Sequence, residues 1–357
     1  MDQIKINLVS GVLSLTVDRS DMPLDDLCGF AVRQNPKRGF LFVSKVLGKH
    51  WPVRPSDAYK VYEMLANKLG EIDGPVWSVG LAETATGFAQ GVMQAWVNKF
   101  NKDTFFQITT RYPVPFVDAI GFEEAHSHAS AQYIHAPSIS TAENLILIDD
   151  EITTGNTLKN LANRLIEVAP NIKTVTWVAL KSWMSKKTKM EIDAWAKQNG
   201  LSIKIVALLE GEYDFKADPN FSVELPDNSE TTCVRQLTLG LDNLRVGIVL
   251  SKKEQEVYEK TEKPECILVV GVGECNEPAM SLGRRLELSG HEVYVQSATR
   301  SPILVGGAID NTLTWEDPYK QGVPHYFHNM NKTKFSKALL VAEVSGVKMP
   351  SFFVDKI

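Results

Sequence analysis

Two adjacent carboxylates followed by a threonine-rich turn form the most chemically informative stretch of the chain. The segment Leu145–Leu158 reads LILIDDEITTGNTL, with four apolar residues typical of a buried strand before the acids and a helix opening after the turn. A helix N-terminus offers unpaired N–H groups and the positive end of the helix dipole, which suit a phosphate. Glycine allows close backbone approach, and hydroxyls add hydrogen bonds. We therefore expect a phosphate to bind at Thr153, Thr154, Gly155, Asn156 and Thr157.

The two acids call for a different ligand, because carboxylates one turn away from a phosphate would repel it. Asp149 and Asp150 make chemical sense facing neutral hydroxyls, such as those of a ribose diol, or Mg²⁺. The alternative is a chance strand-to-helix turn with capping threonines. Two adjacent acids after a buried strand argue against that alternative, since they are costly without a ligand.

Alternating strands and helices are predicted to position this segment. Repeated βα units with apolar central strands indicate a parallel sheet flanked by helices on both faces. Ser56 is expected to cap the first helix. The predicted strands are Phe40–Leu47, Val76–Gly80, Thr104–Thr109, Asn144–Ile148, Lys173–Leu180 and Ile203–Leu209, and the helices are Asp57–Leu69, Thr86–Phe100, Lys187–Gln198 and one after Gly155.

A second, smaller α/β unit is predicted at the C-terminal end. The rhythm is lost over residues 211–250, and a charged run, KKEQEVYEKTEKP, follows at 252–264. That run is either a linker or the end of a solvated helix. We predict domains at 1–250 and 264–357 joined by a linker at 251–263, the second with strand Cys266–Val270, helix Pro278–Leu288 and strand Glu292–Gln296.

The second unit has its own candidate site. ILVVGVGE at 267–274 lacks the third glycine of a dinucleotide-binding turn, so a nicotinamide site is not expected. Glu274 follows one predicted strand, and Thr299, Arg300 and Ser301 follow the next. An arginine between hydroxyls suits a phosphate or a carboxylate, and the two strand ends would converge if the strands are neighbours. The competing interpretation is a unit that only supports dimerisation.

Composition narrows the class of protein. The chain has 357 residues, a net charge of −5 and a pI of about 5.9, which gives no support to an extended nucleic-acid surface. The N-terminus lacks the features of a signal peptide, and no apolar run approaches a membrane span. Four widely spaced cysteines fit reduced thiols. We expect a cytoplasmic protein that binds neither nucleic acid nor membrane.

The segment at 145–158 resembles the signature of type I phosphoribosyltransferases, of the kind found in orotate phosphoribosyltransferase. Over roughly residues 33–330 the chain is similar to such a transferase fused to a TRSP domain, a pair found in bacterial tellurite-resistance and related stress gene clusters. The stretches that carry this likeness are RGFLFVSKVLGKHWPV at 38–53, EEAHSHA at 123–129, GVGE at 271–274 and the namesake Thr-Arg-Ser-Pro at 299–302.

The resemblance implies roles for particular residues. The acids would hold ribose hydroxyls, and the threonine–glycine turn would hold the 5-phosphate. A diphosphate-binding turn falls on Ala82, Glu83, Thr84 and Ala85, and a mobile loop at 109–134 would bring Arg111, His126 and His128 to the substrate. Those histidines are otherwise ordinary loop residues or, at weak spacing, a metal site. Lys45 and Lys49 belong either to a hood that binds acceptor or phosphates, or to a solvated basic edge.

Two functions from different classes follow. The first is an enzyme that moves ribose 5-phosphate from phosphoribosyl diphosphate to an unidentified, nitrogenous small-molecule acceptor in the biosynthesis of a ribosylated metabolite. Mg²⁺ would be bound mainly through the diphosphate and the ribose hydroxyls, with no separate protein-held metal. The second is a non-catalytic sensor of phosphoribosyl diphosphate that regulates a partner. A homodimer is expected, because dimers are usual among such transferases.

Overall fold

Strands and helices alternate through most of the chain. The computed structural model describes residues 3–33, 39–111, 114–123, 131–135, 141–222, 241–254, 256–319 and 322–356. The strands are β1 (Gln3–Leu8), β2 (Gly11–Ser20), β3 (Cys28–Ala31), β4 (Leu41–Ser44), β5 (Val76–Gly80), β6 (Thr104–Ile108), β7 (Ala119–Glu123), β8 (Ala131–His135), β9 (Asn144–Ile148), β10 (Glu151–Ile152), β11 (Thr174–Ser182), β12 (Ser202–Ala217), β13 (Ile248–Leu250), β14 (Cys266–Gly271), β15 (Glu292–Ser297), β16 (Thr312–Trp315), β17 (His325–His328) and β18 (Lys337–Val341). The helices are α1 (Leu24–Leu27), α2 (Pro55–Leu69), α3 (Thr86–Phe100), α4 (Asn156–Val168), α5 (Lys186–Gln198), α6 (Asp242–Val246) and α7 (Asn276–Leu288), with a final 3₁₀ turn at Ser351–Lys356.

The large sheet has a parallel centre, as predicted. Its order is β1-β2-β12-β11-β9-β5-β6-β13, and β12, β11, β9, β5 and β6 all run parallel. The two ends add antiparallel strands: β2 pairs with β12, and β13 pairs with β6. Because the central strands are parallel, all their carboxyl ends meet at one edge of the sheet.

Helices cover both faces of this sheet, which confirms the predicted layering. Along β9 the side chains alternate, with Ile146 and Ile148 in the core beneath α2 and α3, and Leu145 and Leu147 in the core beneath α4 and α5. All four are fully buried. A strand buried on both faces reads as a continuous apolar run, which is why LILI was informative.

Helix α2 begins earlier than predicted. Ser56 was expected to cap it, but Arg54 is the capping residue and Pro55 is the first helical residue. Proline suits this position because its fixed backbone angle is helical and its missing N–H would have no partner there. The Ser56 hydroxyl instead donates to Glu287 Oε1 at 2.7 Å.

Part of the span predicted to be irregular, 109–134, forms a β-hairpin. Strands β7 and β8 pair antiparallel, and Thr110 pairs with Tyr133 beside them. The hairpin was missed because its strands are short and separated by a stretch rich in polar residues.

In the parts of the chain that the structure describes, no helix is long and apolar enough to cross a membrane.

The C-terminal unit is built on a small parallel sheet that docks closely on the large one. Its order is β15-β14-β18, and α7 packs against α2 and α3. The segment Gly48–Val53 of the first unit lies along β15: Val53 and Val295 exchange backbone hydrogen bonds, and Ser297 N donates to Gly48 O. One continuous core contains residues of both units. The predicted linker region 251–263 contains no helix or strand among its described residues, and the domain boundaries themselves stay a prediction.

Candidate functional site

The carboxyl ends of four neighbouring strands assemble the candidate site. Across the sheet, β11 carries Lys181, β9 is followed by Asp149 and Asp150, β5 leads into the turn at 81–85, and β6 leads to Arg111. The order of the strands therefore brings together the acids, the candidate diphosphate turn and the loop arginine, which are far apart in sequence. Asp149, Asp150 and the turn at 153–157 leave one strand end together, as the sequence predicted.

The acids sit half-buried at the end of β9. Asp149 N donates to Val178 O at 3.0 Å, and the Asp149 carboxylate accepts from Asp150 N at 2.9 Å, so backbone contacts fix the first acid. Burial raises the pKa of Asp150, and Glu151 raises it further, whereas Lys181 opposes both. We call Asp149, Asp150, Glu151 and Lys181 the acid cluster. Its carboxylates outnumber its cation.

Lys181 is a member of this cluster that the sequence analysis missed. Its side chain is fully buried, with Nζ 3.5 Å from Glu151 Oε2 and above the Phe42 ring at 5.7 Å from the centroid. Burial disfavours the ammonium charge, but Glu151, Cys28 and Asp150 outweigh burial and raise its pKa. Nζ makes no hydrogen bond to the described residues. A lysine directly after the buried run VTWVAL was the available signal.

The threonine–glycine turn has a geometry that requires its glycine. Gly155 has φ of +69°, and a Cβ there would lie 2.6 Å from the Trp177 ring. Helix α4 begins at the next residue, and Asn156 N donates to Thr154 Oγ1 at 3.3 Å. Thr154 and Asn156 are exposed, while Thr153 and Thr157 are half-buried. The turn thus presents a helix N-terminus and hydroxyl groups to solvent, as a phosphate site needs.

The candidate diphosphate turn is held on both sides. Ala82 N donates to Thr109 Oγ1 at 2.8 Å, and Ala82 O accepts from Gln132 at 3.1 Å. From the second unit, the Asn276 amide donates to Glu83 O at 3.0 Å. Gly87, in the first turn of α3, permits this approach, because a Cβ there would lie 2.7 Å from Glu277 N. Thr84 is half-buried and Ala85 fully buried.

Glu83 is surrounded by cations from three parts of the chain. Lys49 Nζ lies 2.8 Å from Glu83 Oε1, and Arg300 Nη2 lies 3.0 Å from Oε2. Burial alone would raise the pKa of Glu83, but Lys49, Arg300 and Arg111 together hold that pKa well below its usual range. We call Glu83, Lys49, Arg111 and Arg300 the glutamate cluster.

A second buried network joins the two units beside this cluster. Arg245, also missed from sequence, contacts Glu274 with Nε 2.8 Å from Oε2, and its guanidinium also contacts Glu343. The Thr110 hydroxyl donates to Glu274 Oε1 at 3.0 Å. Burial raises the pKa of Glu274, while Arg245 opposes that change. Arg245 lies where the sequence pattern is irregular, so nothing in the sequence marked it.

The residues predicted for the second unit follow the carboxyl ends of neighbouring strands, since β14 and β15 pair in parallel. Their partners differ, however: Glu274 contacts Arg245 and Thr110, whereas Arg300 contacts Glu83. The Thr299 hydroxyl accepts from Ser301 N at 3.1 Å, and the Ser301 carbonyl lies 3.2 Å from His328 Nε2. Whether this group binds a ligand of its own stays a prediction.

Four further predicted residues complete the account. Lys49 is buried at the glutamate cluster, rather than on a solvated edge. Lys45 is half-buried, with Nζ 5.4 Å from the centroid of the Trp51 ring. His126 and His128 lie outside the described residues.

Two family models match the chain, one in each unit. A family model described as phosphoribosyl transferase matches residues 27–212, and a model described as the TRSP domain C-terminal to it matches residues 242–352. The second match begins before the boundary predicted from sequence. None of the curated proteins compared matches the chain.

Solved structures similar to the chain include several adenine phosphoribosyltransferases. The enzyme from Thermoanaerobacter pseudethanolicus is 18% identical, with 50% of this chain and 93% of that one covered and a TM-score of 0.33. The Trypanosoma brucei enzyme, in complex with AMP, pyrophosphate and ribose-5-phosphate, is 11% identical, with 58% and 87% covered and a TM-score of 0.38. The Giardia lamblia enzyme is 12% identical, with 53% and 97% covered and a TM-score of 0.35.

Proposed function

Because the chain belongs to the phosphoribosyl transferase family, and is therefore an enzyme that transfers a phosphoribosyl group, we propose that its donor is phosphoribosyl diphosphate and its acceptor a nitrogenous small molecule. The observation that carries this proposal is the convergence of four strand ends. One edge of the sheet holds the paired acids, the threonine–glycine turn and the turn that contains Glu83. These suit the ribose hydroxyls, the 5-phosphate and the diphosphate, in that order.

The proposed reaction is a substitution at ribose C1. The bond between C1 and a diphosphate oxygen breaks, a bond from C1 to the acceptor nitrogen forms, and the acceptor loses a proton. The transition state is oxocarbenium-like, so the protein acts mainly by positioning the partners and by stabilising the departing diphosphate. Asp149 and Asp150 accept hydrogen bonds from the ribose hydroxyls and thereby orient C1. The turn at 153–157 anchors the opposite end of the donor through its 5-phosphate.

Mg²⁺ fits the chemistry of the acid pair. Adjacent, half-buried carboxylates at a strand end offer the hard oxygen ligands that this ion prefers. Asp149 and Asp150 would hold it together with the ribose hydroxyls and the diphosphate of the donor. When bound, the ion would help to neutralise charge on the diphosphate.

The experiment is an assay of diphosphate release from phosphoribosyl diphosphate and Mg²⁺ in the presence of a panel of nitrogenous bases. Replacing Asp149 and Asp150 together with Asn should lower kcat by on the order of 10³-fold, because the ribose loses its positioning contacts. Asp193→Asn, an exposed acid on α5, is the matched control and should leave kcat unchanged.

Circular dichroism checks that both variants stay folded. Wild-type activity in the double variant would exclude the proposed ribose contacts. Donor-dependent thermal stabilisation without turnover for any base would favour the sensor instead. The link to a ribosylated stress metabolite and to tellurite resistance stays a prediction, tested by whether a bacterium lacking this gene loses both.

A further inference from the structure

The glutamate cluster joins residues that no single domain could supply. Lys49 comes from the segment that lies along β15, Glu83 from the turn after β5, and Arg300 from the second unit. Their side chains are 3%, 14% and 18% exposed, so the pairs are shielded from bulk water. Arg111, at the end of β6, lies close enough to lower the pKa of Glu83.

A carboxylate in this place needs an explanation, because the turn that carries it is the proposed diphosphate site. An acid there would repel the ligand unless cations surround it. Lys49 and Arg300 each contact the Glu83 carboxylate directly, and Arg111 is close enough to lower its pKa. The nearby His325 adds no positive charge at neutral pH, because burial lowers its pKa to about 4. The Glu83 carboxylate therefore occupies a position between cations that another anion could bind.

The backbone around Arg300 is fixed, so its cation is held ready. Thr299 N donates to Tyr326 O at 3.0 Å, and Tyr326 N donates to Thr299 O at 2.7 Å. Further along β17, the Gln296 amide donates to His328 O at 2.7 Å. Cations that are already in place stabilise a developing anion without paying for reorganisation at the moment of reaction.

We infer that Arg300 of the second unit and Lys49 form part of the diphosphate site of the first, and that the Glu83 carboxylate holds them in place until the ligand's diphosphate displaces it. This inference rests on the proposed function and adds the purpose of the second unit. The TRSP segment completes the transferase site, and its arginine contacts the same diphosphate before and after transfer. Arginine suits this role because its planar group binds phosphate oxygens in pairs.

The test is calorimetric titration of inorganic diphosphate with Mg²⁺ into the full chain and its variants. Arg300→Ala should weaken binding by about 10- to 100-fold, through loss of a buried charge contact. Arg284→Ala is the control, because this arginine of α7 pairs with Glu287, whereas Arg300 pairs with Glu83. The Arg284→Ala variant should bind diphosphate with the affinity of the wild type.

Glu83→Gln separates ligand binding from structural support. Removing the internal anion should tighten diphosphate binding by about tenfold, while the ligand-free protein melts at a lower temperature because buried cations lose their partner. A merely structural glutamate would give the lower melting temperature without tighter binding. Should Arg300→Ala fail to fold, Arg300→Gln keeps the shape and hydrogen bonding and should weaken binding in the same direction.

The outcomes are distinct. A wild-type protein that binds neither diphosphate nor phosphoribosyl diphosphate would overturn the proposed function and this inference together. Diphosphate affinity within twofold of wild type in the Arg300 variants would overturn this inference alone. Weaker binding in Glu83→Gln would overturn the displacement of its carboxylate.

Discussion

The acid cluster and the glutamate cluster lie at neighbouring strand ends and surround their carboxylates differently. In the first, Asp150 lies beside another carboxylate, Glu151, and the buried Lys181, and in the second Glu83 lies beside Lys49, Arg111 and Arg300. The pKa of Asp150 is raised by burial, whereas the pKa of Glu83 is lowered by its cations. Burial raises the pKa of both carboxyl groups, but the neighbouring cations outweigh burial only at Glu83.

The difference teaches how one edge can bind an elongated ligand with unlike parts. Adjacent carboxylates suit neutral hydroxyls and a divalent cation, and converging cations suit an anion. A ligand with ribose hydroxyls at one place and a diphosphate at the next would match both. The comparison can be broken by removing a charge from either cluster or by distorting the turn beside the acid cluster.

Removing Lys181 from the acid cluster should have the largest effect on stability. Lys181→Met takes away a buried counter-charge of Glu151 and Asp150, so the free energy of unfolding should fall by about 4 kcal/mol. Lys173→Met is the control, because the Lys173–Glu143 pair is exposed and should lose less than about 1 kcal/mol. Urea unfolding measures both. Equal small losses would show that Lys181 does not balance the acids.

In the turn beside the acid cluster, replacing Gly155 should cost more stability than its positive φ angle alone explains. Gly155→Ala places a methyl group against Trp177, and we expect the free energy of unfolding to fall by about 2–3 kcal/mol, with weaker donor binding. Gly200→Ala is the matched control: its φ of +67° is nearly the same, but a Cβ there meets nothing within 4 Å. It should lose only about 1 kcal/mol, the cost of the angle. Urea unfolding at pH 7 gives both, and equal losses would mean that the Trp177 ring moves aside.

The glutamate cluster should make a smaller, pH-dependent contribution. A carboxyl whose pKa is lowered on folding stabilises the protein above its ordinary pKa of about 4, and that stability is lost as the pH falls. Between pH 5 and pH 2 the wild type should therefore lose about 2 kcal/mol more than Glu83→Gln, by urea unfolding at each pH. Glu167→Gln, at an exposed position, should follow the wild type. Parallel acid profiles for wild type and Glu83→Gln would contradict the lowered pKa.

The sequence predicted most of the fold because buried strands and amphipathic helices leave strong periodic patterns. The bounds of α3 and β9 were predicted to the residue, and the acid pair with its turn followed from a single continuous segment. Such features depend on local sequence. The cap of α2 was placed wrongly, because Ser56 is a good capping residue whose hydroxyl instead bonds to Glu287 in the second unit.

The contacts between the units could not be predicted in the same way. Arg300 and Glu83 are 217 positions apart, and the sequence around one residue does not predict its contact with the other. The roles of Lys181 and Arg245 depend on partners that the fold brings near them. Lys181 pairs with Glu151, and Arg245 pairs with Glu274. From the sequence, such residues can be recognised only as charged residues, without their partners. Their pairing depends on how the small sheet docks on the large one.

The backbone pairing of Gly48–Val53 with β15 has a consequence for folding of the protein during its synthesis on the ribosome. Lys49 is held by a strand translated more than 240 residues later, and Arg300 emerges later still. A nascent chain that has finished its large sheet still lacks the template for this segment, and its cation set is incomplete. With the role inferred for Arg300, a complete diphosphate site would form only after most of the chain has been made. A product that ends before residue 300 would carry the acid pair and Lys49 without this arginine.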